Sequence, residues 1–297
     1  PASRKALRDH LERIGIQASV EPAGEGGSMN RVKIQLIDPR PKVSIFIVTK
    51  DRPDLLDQCI QSIRDKTAYE NIEITVVKDL DFRNLSELQN MAAKSASGEY
   101  LCMMNSNTEV NGGNWLEEML SFAQQPEIGA VGARLIKPDA TGDVQHIGLV
   151  AGLGGVVGYA HRGLGGKQIG YFGRAVLHQR LTAVTQCCLL IRKDRFISVG
   201  GFDACLLGDL ADLDLCLRLR QSGYSSVLTP YAELFFHDVT NPSNRKKITN
   251  FGTEAHQVEL MKKRWGDTIN SDPYYSPNLS LEHSDFRLAR YSRITPL

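Results

Sequence analysis

Between Val43 and Met104 the sequence switches repeatedly between buried-strand and amphipathic-helix patterns, and this alternation confines the chain to one broad architecture. Val43–Thr49 (VSIFIVT) is nearly all apolar and rich in β-branched residues, as a strand covered on both faces must be. Pro53 suits the first turn of a helix, where its missing N–H costs nothing, and Leu55, Leu56, Cys59, Ile60 and Ile63 then fall on one face. Ile72–Val77 reads as a second buried strand. Asn84 with Glu87 has the spacing of a capping box for a helix through Ala96, and Tyr100–Met104 reads as a third strand. The implied fold is an open, mostly parallel α/β sheet flanked by helices. Right-handed crossovers then place the loops after the strands on one edge, where such sheets bind ligands. Those loops are Thr49–Pro53, Lys78–Phe82 and Asn105–Glu109.

The flanks are less periodic. Residues 4–15 read as a short helix closed by Gly15, followed by a Gly-rich stretch, a short strand at Arg31–Ile37 and a DPRP linker at 38–41. Residues 1–41 are therefore expected to form an extension, and 42–297 the main domain with its carboxy-terminal helix and tail. Beyond Met104 the pattern predicts a helix at Trp115–Ala123 and a strand at Gly129–Leu135. A Gly-rich segment, Gly148–Gly173, follows, then a strand at Leu181–Ile191 and helices at Leu213–Arg220 and Phe251–Trp265.

Composition narrows the function classes. Thirty-five Lys+Arg against 34 Asp+Glu give a formal charge of +1, without the basic excess of a duplex-DNA binder, so no nucleic-acid partner is expected. No apolar run approaches the ~18 residues of a membrane span. The six cysteines form no CxxC pair and read as reduced, buried thiols of a cytoplasmic protein. The histidines give no HxxxH or HExxH spacing. With no initiating Met and no signal-peptide pattern at Pro1, the chain reads as a piece of a longer protein.

At the three edge loops, and in blocks beyond them, the sequence resembles the family-2 glycosyltransferases of the GT-A fold. It is most similar to the bacterial branch that builds rhamnose-containing and related surface polysaccharides. VSIFIVTKDRPDLL resembles that branch's VSIIIPTRDRxDLL. WLEEML, VQHIGLV, GGFD, DLDLCLRLRQSGY, TPYAEL and RWGDTINSDPYYSPNLS match later blocks in order, so that the resemblance covers about residues 4–290. It implies transfer of a sugar from a nucleotide-diphosphate donor to a glycan or lipid-linked acceptor, with inversion. Such chemistry needs a nucleotide pocket, positive charge for the departing diphosphate, and a carboxylate to take the acceptor proton.

Carried onto this chain, the resemblance assigns Thr49, Asp51 and Arg52 to the base and ribose. In the second loop Lys78 stands where the family has Asp; either the following Asp79 substitutes for it or the contact is lost. The third loop departs most. The family's LNDDTEV or LNNDTEV is here MNSNTEV, so Asn105 is retained while Ser106 and Asn107 replace acidic residues. A divalent ion, Mg²⁺ or Mn²⁺, prefers anionic oxygen, and Asn107 offers only an amide, so metal binding is expected to be weakened or dispensable. His237, in ELFFHDVTNPSNR, keeps one of two family histidines and is either a metal ligand or a structural residue. Asp212 falls on the column of the catalytic base, and Asp214, two residues on, should project ~200° away on a helix. Without the resemblance both would read as helix acids placed near the positive end of the macrodipole.

The expected function is therefore glycosyl transfer in bacterial glycan assembly, with Lys78, Lys50 and Arg52 as cations that could assist a departing diphosphate. The competing expectation is a catalytically silent GT-A module within a larger protein, partnered by other parts of the parent chain. A basic run over 241–265 (Arg245, Lys246, Lys247, Lys262, Lys263 and Arg264) is either a solvated face or a peripheral contact with anionic lipid on the inner face of a membrane.

Overall fold

The computed structural model describes residues 2–49, 52–78, 85–237 and 255–294. In chain order the elements are α1 (Ala2–Arg13), β1 (Ala18–Ala23), β2 (Met29–Ile34), β3 (Val43–Thr49), α2 (Pro53–Lys66), β4 (Ile72–Lys78), α3 (Leu85–Ser95), β5 (Tyr100–Asn105), β6 (Thr108–Val110) and α4 (Trp115–Ala123). They continue with β7 (Ile128–Ile136), β8 (Val144–His146), β9 (Leu149–Ala151), β10 (Val157–Tyr159), β11 (Gln179–Leu181), β12 (Cys188–Arg192), α5 (Lys193–Ser198), α6 (Asp209–Gln221), β13 (Ser225–Phe236) and α7 (Ala255–Asn270).

The main sheet runs β11-β13-β7-β12-β5-β3-β4, with β6 added to β13 and β8 to β7. Its two wings are parallel pairs, β4–β3–β5 on one side and β7–β13 on the other, joined through the antiparallel β12. The continuous apolar run of β3 is explained by what covers it. Val43, Ile45 and Ile47 pack with Cys59 and Ile63 of α2 and with Trp115 and Met119 of α4. Phe46 and Val48 point the other way, toward Leu85 and Ala93 of α3 and the apolar residues of α6. Both faces are dry, so alternation with polar residues is absent. The strand ends from which the expected ligand loops leave, Thr49, Lys78 and Asn105, lie together, because β3, β4 and β5 are neighbouring parallel strands.

Several elements differ from the sequence reading: β2 ends at Ile34, not Ile37, α7 runs on to Asn270, and the Gly-rich segment holds β9 and β10. The amino-terminal extension holds two strands: β1 and β2 form an antiparallel hairpin with Ala18 opposite Ile34. Its turn is the Gly-rich stretch, where Gly24, Gly26 and Gly27 take positive φ. Leu181–Ile191 is two strands, β11 at the sheet edge and β12 near its centre, because Thr185 and Gln186 leave the ladder and turn, with Cys188 N–H donating to Thr185 O at 3.2 Å. Helix α6 begins at Asp209, four residues before the apolar pattern announces it, so Asp212 lies in its first turn. Asn84, and residues 251–254 of the last expected helix, lie outside the described residues.

Candidate active site

At the carboxyl ends of the parallel strands, Thr49 stands opposite Lys78 and Val48 opposite Asn105. Thr49 is buried, whereas Lys78 is exposed at the rim. The Arg52 guanidinium forks onto Asp54, with bonds of 2.9 and 2.6 Å. That contact draws the Asp54 carboxyl down to about 2. Asp51 and Asp79, two further expected donor contacts, lie outside the described residues.

The loop after β5 is held from several sides. Ser106 N–H donates to Val48 O at 2.8 Å, and Asn107 N–H folds back onto Asn105 Oδ1 at 3.0 Å. Thr108 Oγ1 donates to Asn105 O at 2.7 Å. β6 then pairs with the end of β13, Thr108 opposite Phe236, and His237 N–H donates to Asn107 O at 2.8 Å. The structure thus brings Asn107 and His237 together, but through the backbone. The imidazole Nε2 faces Glu109 Oε2 at 3.1 Å, and Glu109 also takes Lys66 at 2.9 Å and Gln58 at 2.8 Å. Burial pushes the Glu109 carboxyl up, but Lys66 and His237 outweigh it and hold the group below its ordinary range. Among the described residues no three His, Cys, Asp or Glu side chains converge to hold a metal ion. Among the described residues, one neutral amide and an imidazole already bonded to a carboxylate offer Mg²⁺ or Mn²⁺ a weak site at most, and no step below is routed through a metal ion.

The expected base occupies a different environment. Asp212 is 1% exposed. Its Oδ2 accepts from Thr185 Oγ1 at 2.9 Å and from Gln186 N–H at 3.1 Å. Oδ1 is buried with no hydrogen-bond partner among the described residues. Burial, and then the neighbouring Asp209, raise the carboxyl well above the ordinary range. Asp209, one turn earlier on α6, accepts from the Tyr159 hydroxyl at 2.7 Å. The Tyr159 ring lies 4.7 Å from His146 in an edge contact. His146 Nδ1 accepts from Gly148 N–H at 3.0 Å, and burial drives its pKa down to about 3, so the ring is neutral with its proton on Nε2.

Asp214 projects to the opposite side of α6, as helical geometry requires. It is bonded by Arg218 at 2.8 Å, Arg264 at 3.3 Å and the Trp265 indole at 2.9 Å. Arg264, exposed on α7, is thereby paired with Asp214, as it is with Asp203, and does not belong to a free basic face. Tyr275 packs the tail onto the core and donates to Ser280 O.

One turn unites the two expected centres. Residues Thr185–Cys188 hold Asp212 on one side, and on the other Cys187 O accepts from Asn105 N–H at 3.2 Å. Thr185, Gln186, Asp209 and Tyr159 were not expected from sequence. A polar Thr-Gln pair inside an apolar run and the Gly208-Asp209 step were the available signals.

No protein-family model matches the chain. An uncharacterized protein, y4gI, of Sinorhizobium fredii is 35% identical over 315 residues, covering 97% of this chain and 34% of its own length. The O-antigen biosynthesis protein RfbC of Myxococcus xanthus is 32% identical over 315 residues, covering 98% of this chain and 24% of its own length. The chain therefore spans about a third or less of these curated relatives. The N-acetylglucosaminyl-diphospho-decaprenol L-rhamnosyltransferase of Mycobacterium tuberculosis is 44% identical over 50 residues, 17% of this chain and 16% of its own. Among solved structures, GalNAc-T7 with UDP, GalNAc and Mn²⁺ superposes with a TM-score of 0.56 at 12% identity, over 80% of this chain and 51% of that one. The mannosyltransferase PcManGT of Pyrobaculum calidifontis, with GDP-Man and Mn²⁺, gives 0.52 at 12% identity, over 91% and 78%. At that identity the likeness carries the fold: the protein has the GT-A fold.

Proposed function

We propose that this GT-A chain transfers a glycosyl group, with inversion, from a nucleotide-diphosphate sugar to a glycan or lipid-linked acceptor in bacterial polysaccharide assembly. Residues 42–297 form the transferring body and 1–41 its extension. The names of RfbC and of the rhamnosyltransferase support the substrate class. The observation that carries the reading is Asp212 of α6: a buried carboxylate with one oxygen anchored and the other without a hydrogen-bond partner among the described residues, held by a turn that also holds the Asn105–Asn107 loop.

In the proposed reaction the acceptor hydroxyl oxygen bonds to the anomeric carbon while the bond from that carbon to the diphosphate oxygen breaks. The electron pair leaves with the diphosphate, and the hydroxyl proton passes to Asp212 Oδ1. Thr185 and Gln186 hold Oδ2, so that Oδ1 is the oxygen left to take the proton once an acceptor reaches this buried carboxylate. A base of raised pKa takes a proton more strongly once ionised, at the cost of needing a higher pH to be ionised. Thr49, Asp51, Arg52, Asp79 and Asn105 are proposed donor contacts, with Lys78 as the cation at the rim. Asn107 and His237 are proposed as at most a weak divalent-ion site, because His237 is already engaged by Glu109. Turnover is therefore expected to persist in chelator.

The second reading, a silent binding module, is favoured by the same neutral loop, in which Ser106 is buried and Asn107 carries no charge. Calorimetry with UDP-, GDP- and dTDP-linked sugars separates the two. Saturable binding of one donor, followed by its consumption in the presence of EDTA, supports transfer. A folded sample that binds none supports the module.

A further inference from the structure

Among the described residues, the non-glycine positions with left-handed backbone are His161 (φ 56°), Phe172 (φ 49°) and Phe286 (φ 61°), and all three meet in one cluster. His161 stacks on Phe286 with centroids 4.0 Å apart, Tyr171 stacks on the same Phe286 at 5.4 Å, and Phe172 meets Tyr171 edge-on at 4.7 Å. Tyr171 N–H donates to His161 Nε2 at 3.0 Å, which fixes the turn. Left-handed backbone is unfavourable for any residue with a Cβ and most so for bulky ones. For His161 and Phe286 burial and stacking offset the cost. Phe172 keeps only its edge contact with Tyr171 and gains no burial, because its side chain stands out in water at 85% exposure. Local strain of this kind persists where function selects it.

The surroundings say what the ring is for. Ile169 and Tyr171 are exposed on the same turn, and Leu288 (77%) and Tyr291 (75%) are exposed just beyond Phe286 in the tail. Residues 160–174 contain Arg162, Lys167 and Arg174, residues 286–294 contain Arg287, Arg290 and Arg293, and neither segment has an Asp or Glu. Of these cations Lys167, Arg287 and Arg290 are exposed beside the aromatic and aliphatic side chains, with Arg287 paired to Asp285 and Glu282 as the other exposed acid of the tail. Arg174 lies over Phe286, and Arg293 is bonded to the tail backbone. A protruding ring among aliphatic side chains and cations suits the interface of an anionic bilayer. Aromatic rings settle there at headgroup depth, and Lys and Arg are drawn by the surface potential. A neutral glycan would use the rings but has no need of the cations.

We propose that the turn Ile169–Phe172, together with Leu288–Tyr291, docks this protein on the surface of an anionic lipid bilayer. Its position would serve a lipid-linked acceptor, because β10 carries Tyr159 at Asp209 and, two residues on, His161 at the patch. That last link rests on the proposed transfer; the docking does not.

The experiment is sedimentation of the chain with phosphatidylcholine vesicles, with and without phosphatidylglycerol. Binding is expected to the mixed vesicles, to fall with added salt, and to be absent with phosphatidylcholine alone. Phe172→Gly removes the ring and relieves its backbone, so the variant should melt no lower than the parent while its partition drops about fivefold or more. Lys167→Glu combined with Arg290→Glu should lower the partition by about tenfold or more. Failure of the parent chain to bind mixed vesicles, or an unchanged partition for Phe172→Gly, overturns the proposal. So does capture on a neutral dextran resin that Phe172→Gly loses, without vesicle binding, since that assigns the rings to carbohydrate. Donor calorimetry on the same variants should be unchanged, which keeps this test separate from that of the transfer.

Discussion

Asp212 and Asp214 sit two residues apart on α6, both almost wholly removed from water, yet their surroundings are opposites. Asp214 has two arginines and an indole N–H, so its charge is compensated and its acceptor positions are filled. Asp212 has one hydroxyl, one backbone N–H and, as its nearest charged neighbour on the helix, another acid. A buried carboxylate that is fully paired holds helices together. One that is half-paired beside a like charge costs stability, and such a cost is retained where chemistry uses it.

The contrast breaks most readily by substitution. Asp212→Asn should lower kcat about a thousandfold, as loss of a general base does, with the protein as stable as before or more so. The sign follows from linkage. A carboxyl raised in the folded state binds more protons folded than unfolded once pH exceeds its unfolded value. Stability therefore declines as pH climbs from there through the folded value. The Asn variant should lack that decline, which thermal melts at a series of pH values would show. Asp214→Ala should do the reverse. Leaving Arg218 and Arg264 without their buried partner costs ~3 kcal/mol or more, or roughly 6 °C or more in melting temperature, while folded enzyme keeps most of its turnover. If Asp214→Ala were the inactive but stable variant, the assignments would be exchanged.

Much of this contrast was legible beforehand, and the limits were physical. The run VSIFIVT showed a strand covered on both faces because burial leaves a compositional mark that needs no partner to be seen. The 3.6-residue repeat likewise separated Asp212 from Asp214. What the sequence concealed was long-range. Thr185 and Gln186 look like strand residues until the turn brings them to Asp212. Asp209 precedes the apolar stripe that marks α6, and Tyr159 lies in a Gly-rich segment without a period. The Asn105–Glu109 loop was recognisable, but not that Glu109 would be spent on Lys66, Gln58 and His237. Hydrogen-bond partners across such distances are set by tertiary packing, which one sequence does not display.

A smaller effect sharpens the Asp212 side. Asp209 contributes to raising the Asp212 carboxyl, second to burial, and keeps its Tyr159 bond if the charge alone is removed. Asp209→Asn should therefore move the acidic limb of the rate profile to lower pH, with the plateau kcat changed by less than about tenfold. Tyr159, Thr185, Gln186 and Cys187 also face this pair, but none of them supplies a cation. An acidic limb that stayed in place would mean that burial alone sets the pKa, or that another group is titrating.

The smallest effect belongs to the loop. Lys66 is part exposed where it meets Glu109, and half-exposed ion pairs contribute little once solvent screening is counted. Lys66→Met should cost less than ~1 kcal/mol, or a few degrees of melting temperature at most. It removes the cation while leaving Glu109 beside His237 and Gln58, so the carboxyl should rise toward its ordinary range. If the Glu109–His237 clasp only fastens β6 to the end of β13, transfer by this variant in EDTA should match the parent within about threefold. A loss of turnover in EDTA that Mn²⁺ restores would show the opposite, with Lys66 and Glu109 acting at the diphosphate. The division between a structural loop and a chemical pocket would then have to be redrawn around both.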